Sequence, residues 1–381
     1  MLSKRRILRV SSCSLALFAF AGASASANFS TSPIVGHAYV NDNTSGANTI
    51  AGFARHADGS LTPIPGSPFP AGGAGSGAGL ASQGALQLSS FGHYVLGVDA
   101  GSNQVSVLRS GFEGALEPVG SPVSSGGSDP VSIAVSGDRV YVANAGSDPN
   151  VVGFVLAPWG GLYRLPGASV ALPAGSGPDD VLLDPTGQRL VVNLVNTSTI
   201  ESFHVDWDGH LIAAPGSPYA AQGPGPFGSE FRPTNPSQLF VSNAHGGEGN
   251  GTVSAFNVSL SGQLSSIGSS PFADFQTAPC WVEISHDGRY LFAVNTGSGE
   301  ISSYAITPAG SLVLLGSTPF GAAGAGAVDA RLSPDGRTLL VNGSKAGVVA
   351  SFAVNGGSLT ELPSSPTPLP AGAVASGIVV D

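Results

Sequence analysis

A short apolar strand that ends in Asn or Asp recurs along the chain, and this repeat limits the possible folds more than any other feature. The copies lie 45–58 residues apart. A repeat of this length is typical of architectures in which each unit packs only against its neighbours. The seven copies end at Asn41, Asp99, Asn144, Asn193, Asn243, Asn295 and Asn342.

Most copies contain three further short strands. A glycine-rich turn is followed by a strand of alternating apolar and polar residues, such as residues 199–203, and then by a "Gly-x-Leu" strand, such as residues 209–211. A Ser-Pro turn and one more strand precede the next copy. Alternation with period two, interrupted by turn residues, predicts β-strands. Seven units of four strands predict an all-β fold, a seven-bladed β-propeller with four-stranded blades.

The two ends of the repeat region complement each other. The first copy begins near Gly36 without the strand that precedes every other copy, and residues 375–381 form an extra strand at the other end. We therefore expect Ile378, Val379 and Val380 to join the sheet of residues 37–41 and close the ring. An open β-solenoid is the alternative, but that fold needs capping units at its ends.

Composition excludes several classes of protein. The 381 residues include 55 Gly and 29 Pro but only 10% charged residues, which argues against a helical bundle and against a disordered chain. Acids outnumber bases 24 to 14, and four of the bases lie in the first nine residues. An acidic body of this kind lacks the basic surface that nucleic acids require. We expect no nucleic-acid partner.

Residues 1–27 have the pattern of a signal peptide. A basic stretch is followed by the apolar run of residues 14–23 and by small residues at Ala25 and Ala27 that allow cleavage. The run is too short to span a bilayer as a helix. The sequence therefore predicts export to the periplasm or the extracellular space, with residues 28–381 as a single propeller domain. A retained anchor is the alternative, and both the general and the twin-arginine export routes stay open.

Three turns carry a resemblance to a known family. SPDGR at 333–337, DPTGQR at 184–189 and SHDGRY at 285–290 each precede an apolar strand that ends in Asn. They resemble turns of the seven-bladed propeller lactonases, which include enzymes of the 6-phosphogluconolactonase type, and the strands are similar to the YVTN repeats of bacterial surface propellers. The resemblance covers roughly residues 34–381. It implies a propeller that hydrolyses a sugar lactone at the mouth of its channel.

The residues proposed as catalytic in that family include an Arg and a His in a Gly-Pro-Arg-His run that opens an innermost strand. The matching run in one blade here is Gly177–Asp180, and no blade carries the Arg-His pair. The expected mouth is acidic instead. Lactone opening needs an activated water and a group that stabilises the oxyanion. We predict Asp180 and Asp329 as general base or metal ligand, and Arg331 as the oxyanion or carboxylate contact.

The predicted ligand-binding residues at the same mouth are Asp129, Asp179, Glu230, Trp281 and Glu283. Clustered carboxylates could also hold Ca²⁺ or Mg²⁺, since hard cations take oxygen ligands. Each assignment has a structural alternative. The acids could satisfy turn amides or face solvent, Asp329 and Arg331 could form an ion pair between blades, and Trp281 could pack against the adjoining blade.

Two main functions therefore stay open from the sequence, beside a redox-partner propeller as a third alternative. The first is an exported lactonase-type propeller, a monomer that binds a small lactone or sugar at the channel mouth and hydrolyses it. The second is a non-catalytic propeller of the cell envelope or surface that binds a protein or a glycan. The missing Arg-His pair and the low charge favour the second function, whereas the resemblance to the lactonase propellers implies the first.

Overall fold

Seven antiparallel sheets surround a central channel in the computed structural model, which describes residues 32–321 and 326–381. Within these two ranges every regular element is a β-strand. Each sheet contributes its innermost strand to the ring around the channel, and each of these strands contacts the next. The predicted seven-bladed propeller is confirmed. The predicted signal peptide, residues 1–27, lies outside the described residues.

The strands are named here in chain order. They are β1 (Ile34–Asn41), β2 (Thr49–His56), β3 (Leu61–Pro63), β4 (Phe69–Pro70), β5 (Leu86–Leu88), β6 (Tyr94–Asp99), β7 (Gln104–Ser110), β8 (Leu116–Pro118), β9 (Val123–Ser124), β10 (Pro130–Ser136), β11 (Arg139–Asn144), β12 (Asn150–Leu156), β13 (Leu162–Ala171), β14 (Pro178–Leu183), β15 (Arg189–Leu194), β16 (Thr199–Val205), β17 (Leu211–Ala213), β18 (Tyr219–Ala220), β19 (Pro226–Arg232), β20 (Asn235–Asn243), β21 (Thr252–Val258), β22 (Leu264–Ser266), β23 (Phe272–Ala273), β24 (Pro279–Ile284), β25 (Tyr290–Asn295), β26 (Glu300–Ile306), β27 (Leu312–Pro319), β28 (Ala327–Leu332), β29 (Thr338–Gly343), β30 (Val348–Asn355), β31 (Ser358–Glu361), β32 (Thr367–Pro368) and β33 (Ile378–Val380).

The chain runs outward through each blade, as in the third blade with its order β10-β11-β12-β13. The innermost strands of blades 1 to 7 are β33, β5, β10, β14, β19, β24 and β28. The repeated strand that ends in Asn or Asp is the second strand of each blade. In five blades the outer edge is split into two short strands, such as β17 and β18, which both pair with the third strand.

The hydrophobic core lies between the blades. Val191 and Ile200 of the fourth blade pack against Leu239, Val241 and Phe256 of the fifth. Alternate residues of the middle strands point to opposite faces, so each blade buries apolar side chains against both neighbours. A blade therefore depends on the presence of the next one.

The last strand closes the ring as predicted. In β33, Val380 pairs with Ala38, Val379 with Tyr39 and Ile378 with Val40, so the end of the chain completes the first blade. The first blade is thus built from both ends of the described chain. The other six blades are built from consecutive strands.

The entry to five of the innermost strands follows one pattern that positions the site. A residue in the left-handed conformation comes first, and in four of the five a proline follows it. A β-bulge then interrupts pairing with the second strand, which frees side chains from the regular alternation. In β28 the pairs are Ala327 with Gly343 and Ala330 with Val341, so Val328 and Asp329 lie in the bulge. The left-handed residues are Asp129, Gly177, Gly225, Ala278 and Gly326.

Candidate functional site

Carboxyl groups of four consecutive blades meet in the channel. The structure brings together Asp179 and Asp180 of β14, Glu230 of β19, Glu283 of β24 and Asp329 of β28, with Arg331 of β28 among them. Asp129 does not join them. It is exposed in the turn before β10, its φ is 55°, and its backbone amide is held by the Asn103 side chain at 2.8 Å. Its role as a ligand-binding residue stays a prediction.

Three of these carboxyl groups connect neighbouring blades. Asp180 Oδ2 accepts hydrogen bonds from the backbone amide and the hydroxyl of Ser229, at 2.9 and 2.6 Å. Glu230 Oε2 accepts the Ile284 amide at 2.5 Å, and Glu283 Oε1 accepts the Leu332 amide at 2.8 Å. Each acceptor satisfies a buried amide of the next innermost strand, which would otherwise lack a partner. These carboxyl groups therefore have a structural function in the ring.

Arg331 is the cation of this cluster. Its Nη1 lies 3.2 Å from Glu283 Oε2, and the Glu283 side chain is almost fully buried. The ion pair therefore joins the sixth and seventh blades, whereas Asp329, two residues away on the same strand, is not its hydrogen-bonded partner. The Glu283 carboxylate raises the pKa of Arg331 although burial opposes this shift, so the guanidinium stays charged.

Burial makes the remaining carboxyl groups weak acids. It raises the pKa of Asp329 to about 8, against the opposing effect of Arg331, and raises the pKa of Asp180 to about 7, against the hydrogen bonds from Ser229. Burial also raises the pKa of Asp179 and Glu230 well above their usual range, with a further contribution from a neighbouring carboxyl in each case. A single guanidinium cannot offset five ionised carboxylates, so several of them hold a proton at neutral pH.

One cavity lies at the end of the channel where the innermost strands begin, and we call it the entrance cavity. It has a volume of about 190 Å³ and is lined by segments 79–82 and 375–377 with Trp281, Thr296, Val328, Asp329 and Ser344. Asp329 is 2% exposed, and its Oδ2 has no hydrogen-bond partner. The carboxyl group also accepts the Gly84 backbone amide. A buried carboxyl oxygen without a partner beside a cavity is suited to contact a ligand or a water.

Trp281 packs against the adjoining blade and lies at the entrance cavity, while its role as a ligand-binding residue stays a prediction. It is 5% exposed, and its ring meets the edge of Phe227 of the adjoining blade with centroids 5.2 Å apart. Its Nε1 donates to the Ser82 carbonyl at 2.8 Å. The residue packs between blades, and part of its side chain also lines the entrance cavity.

A second cavity lies further along the channel, and we call it the exit cavity. It has a volume of about 350 Å³, and its lining includes Gln83, Asp180, Ser229, Glu230 and Arg331. Asp180 and Arg331 thus line a different cavity from Asp329. Asp180, Asp329 and Arg331, which were predicted to act together, are close neighbours in the channel. The structure nevertheless places Asp329 at the entrance cavity and the other two at the exit cavity.

Among the described residues, these carboxyl groups do not form a metal-binding site. Within residues 32–321 and 326–381, no group of three or more His, Cys, Asp or Glu side chains is arranged to hold a metal ion. The oxygens of Asp180, Glu230 and Glu283 that point toward neighbouring strands are occupied by backbone amides. The described residues therefore give no support to a Ca²⁺ or Mg²⁺ centre.

Sequence reasoning missed Ser82 and Gln83. Both are buried in the channel, although the glycine-rich stretch just before them, residues 71–79, reads as a plain linker between blades. Gln83 bonds to strands of two other blades through its side chain. The available signal was a glutamine within the small and apolar run Gly79–Leu88, where a polar side chain needs a partner.

Part of the chain matches a known protein family. Residues 230–373 match the family described as Lactonase, 7-bladed beta-propeller, a range that includes Glu230, Trp281, Glu283, Asp329 and Arg331. The resemblance predicted from the turns is thereby confirmed. No curated protein matches the chain.

Solved structures share the fold over nearly the whole chain. A candidate 6-phosphogluconolactonase from Bacteroides uniformis is 20% identical, with 91% of this chain and 99% of that chain covered and a TM-score of 0.72. A periplasmic gluconolactonase from Pseudomonas aeruginosa is 17% identical, with coverage of 91% and 98% and a TM-score of 0.72. A functionally unknown protein from Desulfotomaculum acetoxidans is 13% identical, with coverage of 91% and 98% and a TM-score of 0.69. At these identities the similarity establishes the fold.

Within residues 32–321 and 326–381, no helix is long and apolar enough to span a bilayer.

Proposed function

We propose that the protein is an exported lactonase-type propeller that binds a small, uncharged sugar lactone in the entrance cavity and hydrolyses it. The observation that carries this proposal is Asp329, a buried carboxyl group with an unpartnered oxygen beside that cavity. Its position in the bulge of β28 frees the side chain from the ladder, and bulges commonly re-aim side chains next to active sites. The match of this region to the lactonase family supports the same reaction class.

The lining of the cavity is largely apolar and carries four hydroxyl groups, a combination that suits the ring of a sugar lactone without charge. Four hydroxyl groups donate to backbone carbonyls, which leaves their oxygen lone pairs able to accept from sugar hydroxyls. No Lys, Arg or His is found among the described residues of the lining. A phosphorylated lactone would need such cations, so a neutral sugar lactone is the better fit. The four hydroxyls belong to Ser82, Thr296, Ser344 and Ser376.

Asp329 acts as general base in this mechanism. Its carboxylate removes a proton from a water molecule while the water oxygen bonds to the lactone carbonyl carbon. The ring C–O bond then breaks, and the proton passes from Asp329 to the ring oxygen, which leaves as a hydroxyl group. The product is the open-chain hydroxy acid. The Gly84 amide, bound to the same carboxyl, fixes its orientation.

The test is hydrolysis of δ-gluconolactone. We expect the protein to open it faster than buffer does, with a rate that rises with pH and levels off above about pH 8, where Asp329 is ionised. Asp329→Asn should lower kcat by roughly 100-fold or more, the usual contribution of a general base. Asp180→Asn is the matched control, because that residue lines the exit cavity, and it should have the smaller effect.

One observation favours the non-catalytic alternative. Arg331, the predicted oxyanion contact, is paired with Glu283 and lines the exit cavity, so no cation lies in the entrance cavity among its described residues. Calorimetry with δ-gluconolactone separates the two functions. Binding without acceleration over buffer would identify a binding module, and absence of both would refute the proposal.

Export is part of the proposal, and its test is separate. Residues 1–27 carry a basic stretch, an apolar run and small residues in the order of a signal peptide. When the full chain is expressed in a bacterium, we expect the protein in the periplasm or the medium with a new N-terminus at Ser26 or Asn28. An uncleaved N-terminus in the cytoplasmic fraction would contradict export.

A further inference from the structure

The linker between β4 and β5 enters the channel before it forms the innermost strand of the second blade. The Ser82 hydroxyl donates to the Val131 carbonyl at 2.8 Å, and the Ser82 carbonyl accepts from Trp281 Nε1 at 2.8 Å. The backbone amide of Gln83 donates to the Asp179 carbonyl at 3.0 Å. These three partners belong to the third, sixth and fourth blades, so the segment is fixed across the channel rather than along one wall.

The Gln83 side chain extends this crossing. Its Nε2 donates to the Ser229 carbonyl at 2.8 Å, and its Oε1 accepts the Val282 amide at 3.1 Å. Both ends of the amide are therefore satisfied by neighbouring innermost strands. Gly228 provides the space, because a Cβ there would lie 2.1 Å from Gln83 Oε1. Gln83 itself is buried.

This crossing separates the two cavities. Ser82 lines the entrance cavity of about 190 Å³, and Gln83 lines the exit cavity of about 350 Å³. We propose that Gln83 determines ligand size, because its side chain crosses the channel next to Ser82 and forms a partition, called the floor below, between the entrance cavity and the exit cavity that it lines, and so restricts the site to a single sugar ring. This inference rests on the proposed function, since it assigns the size limit of the same site.

The test compares two lactones and two variants. The parent protein should bind δ-gluconolactone and exclude maltobionolactone, a disaccharide lactone. Gln83→Ala removes the floor and joins the cavities, so it should tighten maltobionolactone binding by about tenfold or more. Gln83→Met loses the same hydrogen bonds but keeps most of the volume, and it should still exclude the disaccharide. Equal behaviour of Ala and Met would point to a purely structural role and overturn the proposal.

A second measurement does not depend on lactones. The chain has 3 Trp, so Trp159→Phe and Trp207→Phe leave Trp281, whose Nε1 bonds to the crossing segment, as the sole tryptophan for selective excitation. In this background Gln83→Ala should increase acrylamide quenching of Trp281, and Gln83→Met should increase it less. Unchanged quenching in the Ala variant would refute the floor.

Lactone binding and acrylamide quenching together distinguish failure of the proposed function from failure of the proposed size limit. Failure of the parent to bind δ-gluconolactone would remove the proposed function, and the quenching result would then decide alone whether Gln83 forms the floor. Increased quenching without a gain in disaccharide binding would refute the size limit while leaving lactone binding intact. Gln87→Ala is the matched control, because Gln87 lines the exit cavity from β5 and lies outside the segment that crosses the channel, and it should change neither lactone binding nor quenching.

Discussion

Deletion of residues 375–381 should abolish the cooperative unfolding transition of the propeller. Ile378 and Val380 pack with Val40 and Phe53, while Val379 packs on the opposite face of the sheet with residues of the second blade. All three are buried, and each contributes roughly 1.5–3 kcal/mol. Their sum, roughly 5–9 kcal/mol, is comparable with the whole stability of a folded domain, about 5–15 kcal/mol.

Truncation of Asp381 alone is the control for this deletion. Asp381 contacts the His37 amide and ring and, through its carbonyl, Arg55, but β33 stays intact without it. We expect a loss of about 1 kcal/mol, typical of a partly exposed ion pair. Thermal unfolding followed by circular dichroism measures both variants. A normal melting curve for the longer deletion would show that the first blade does not need its innermost strand.

Closure and blade number were predictable because both depend on local, repeated signals. The strand that ends in Asn fixes the second strand of each blade, and the turn residues between strands fix its neighbours. Counting the strands in each repeat unit is enough to find the missing strand before Gly36 and the extra strand at 375–381. Such patterns depend on residues that are adjacent in the sequence, so they can be recognised without knowledge of contacts between distant residues.

The candidate site was predictable only in part. The position of Asp180, Glu230, Glu283, Asp329 and Arg331 on innermost strands follows from the repeat, and their convergence follows from the ring. Their hydrogen bonds to the next blade depend on how the bulges aim each side chain, which no local pattern specifies. For this reason the sequence did not predict that Asp329 lines the entrance cavity while Asp180 and Arg331 line the exit cavity.

Gln83 illustrates the same limit more strongly. Its partners Ser229 and Val282 lie 146 and 199 residues away along the chain. A glycine-rich linker gives no periodicity from which such contacts could be inferred. Only the unusual placement of an amide among small residues marks the position, and that signal does not identify the partners.

The stability of the protein should fall as pH rises from about 4 to about 8. Burial raises the pKa of Asp180 to about 7 and of Asp329 to about 8, and it also raises those of Asp179 and Glu230. In this range the folded state keeps protons that the unfolded state has already lost. The folded state therefore binds more protons, and the free energy of unfolding decreases with pH. Each such group contributes a slope of roughly 1.4 kcal/mol per pH unit between its two pKa values.

The variant Asp329→Asn tests this dependence at a single group. Burial has the largest effect on the pKa of Asp329 and favours the neutral acid. The charges of Arg331, Asp180 and Glu283 have smaller effects on this pKa. A neutral amide should leave stability nearly unchanged at pH 4 and raise it at pH 8 by on the order of a few kcal/mol. Asp206→Asn is the control with the opposite sign, because hydrogen bonding from His210 lowers the pKa of that partly exposed carboxyl, so its contribution is lost as pH falls. Urea unfolding at pH 4, 6 and 8 gives the free energy of unfolding of the parent and of both variants. If this free energy changed with pH in the same way in the parent and in Asp329→Asn, Asp329 would already be ionised in the folded protein at neutral pH.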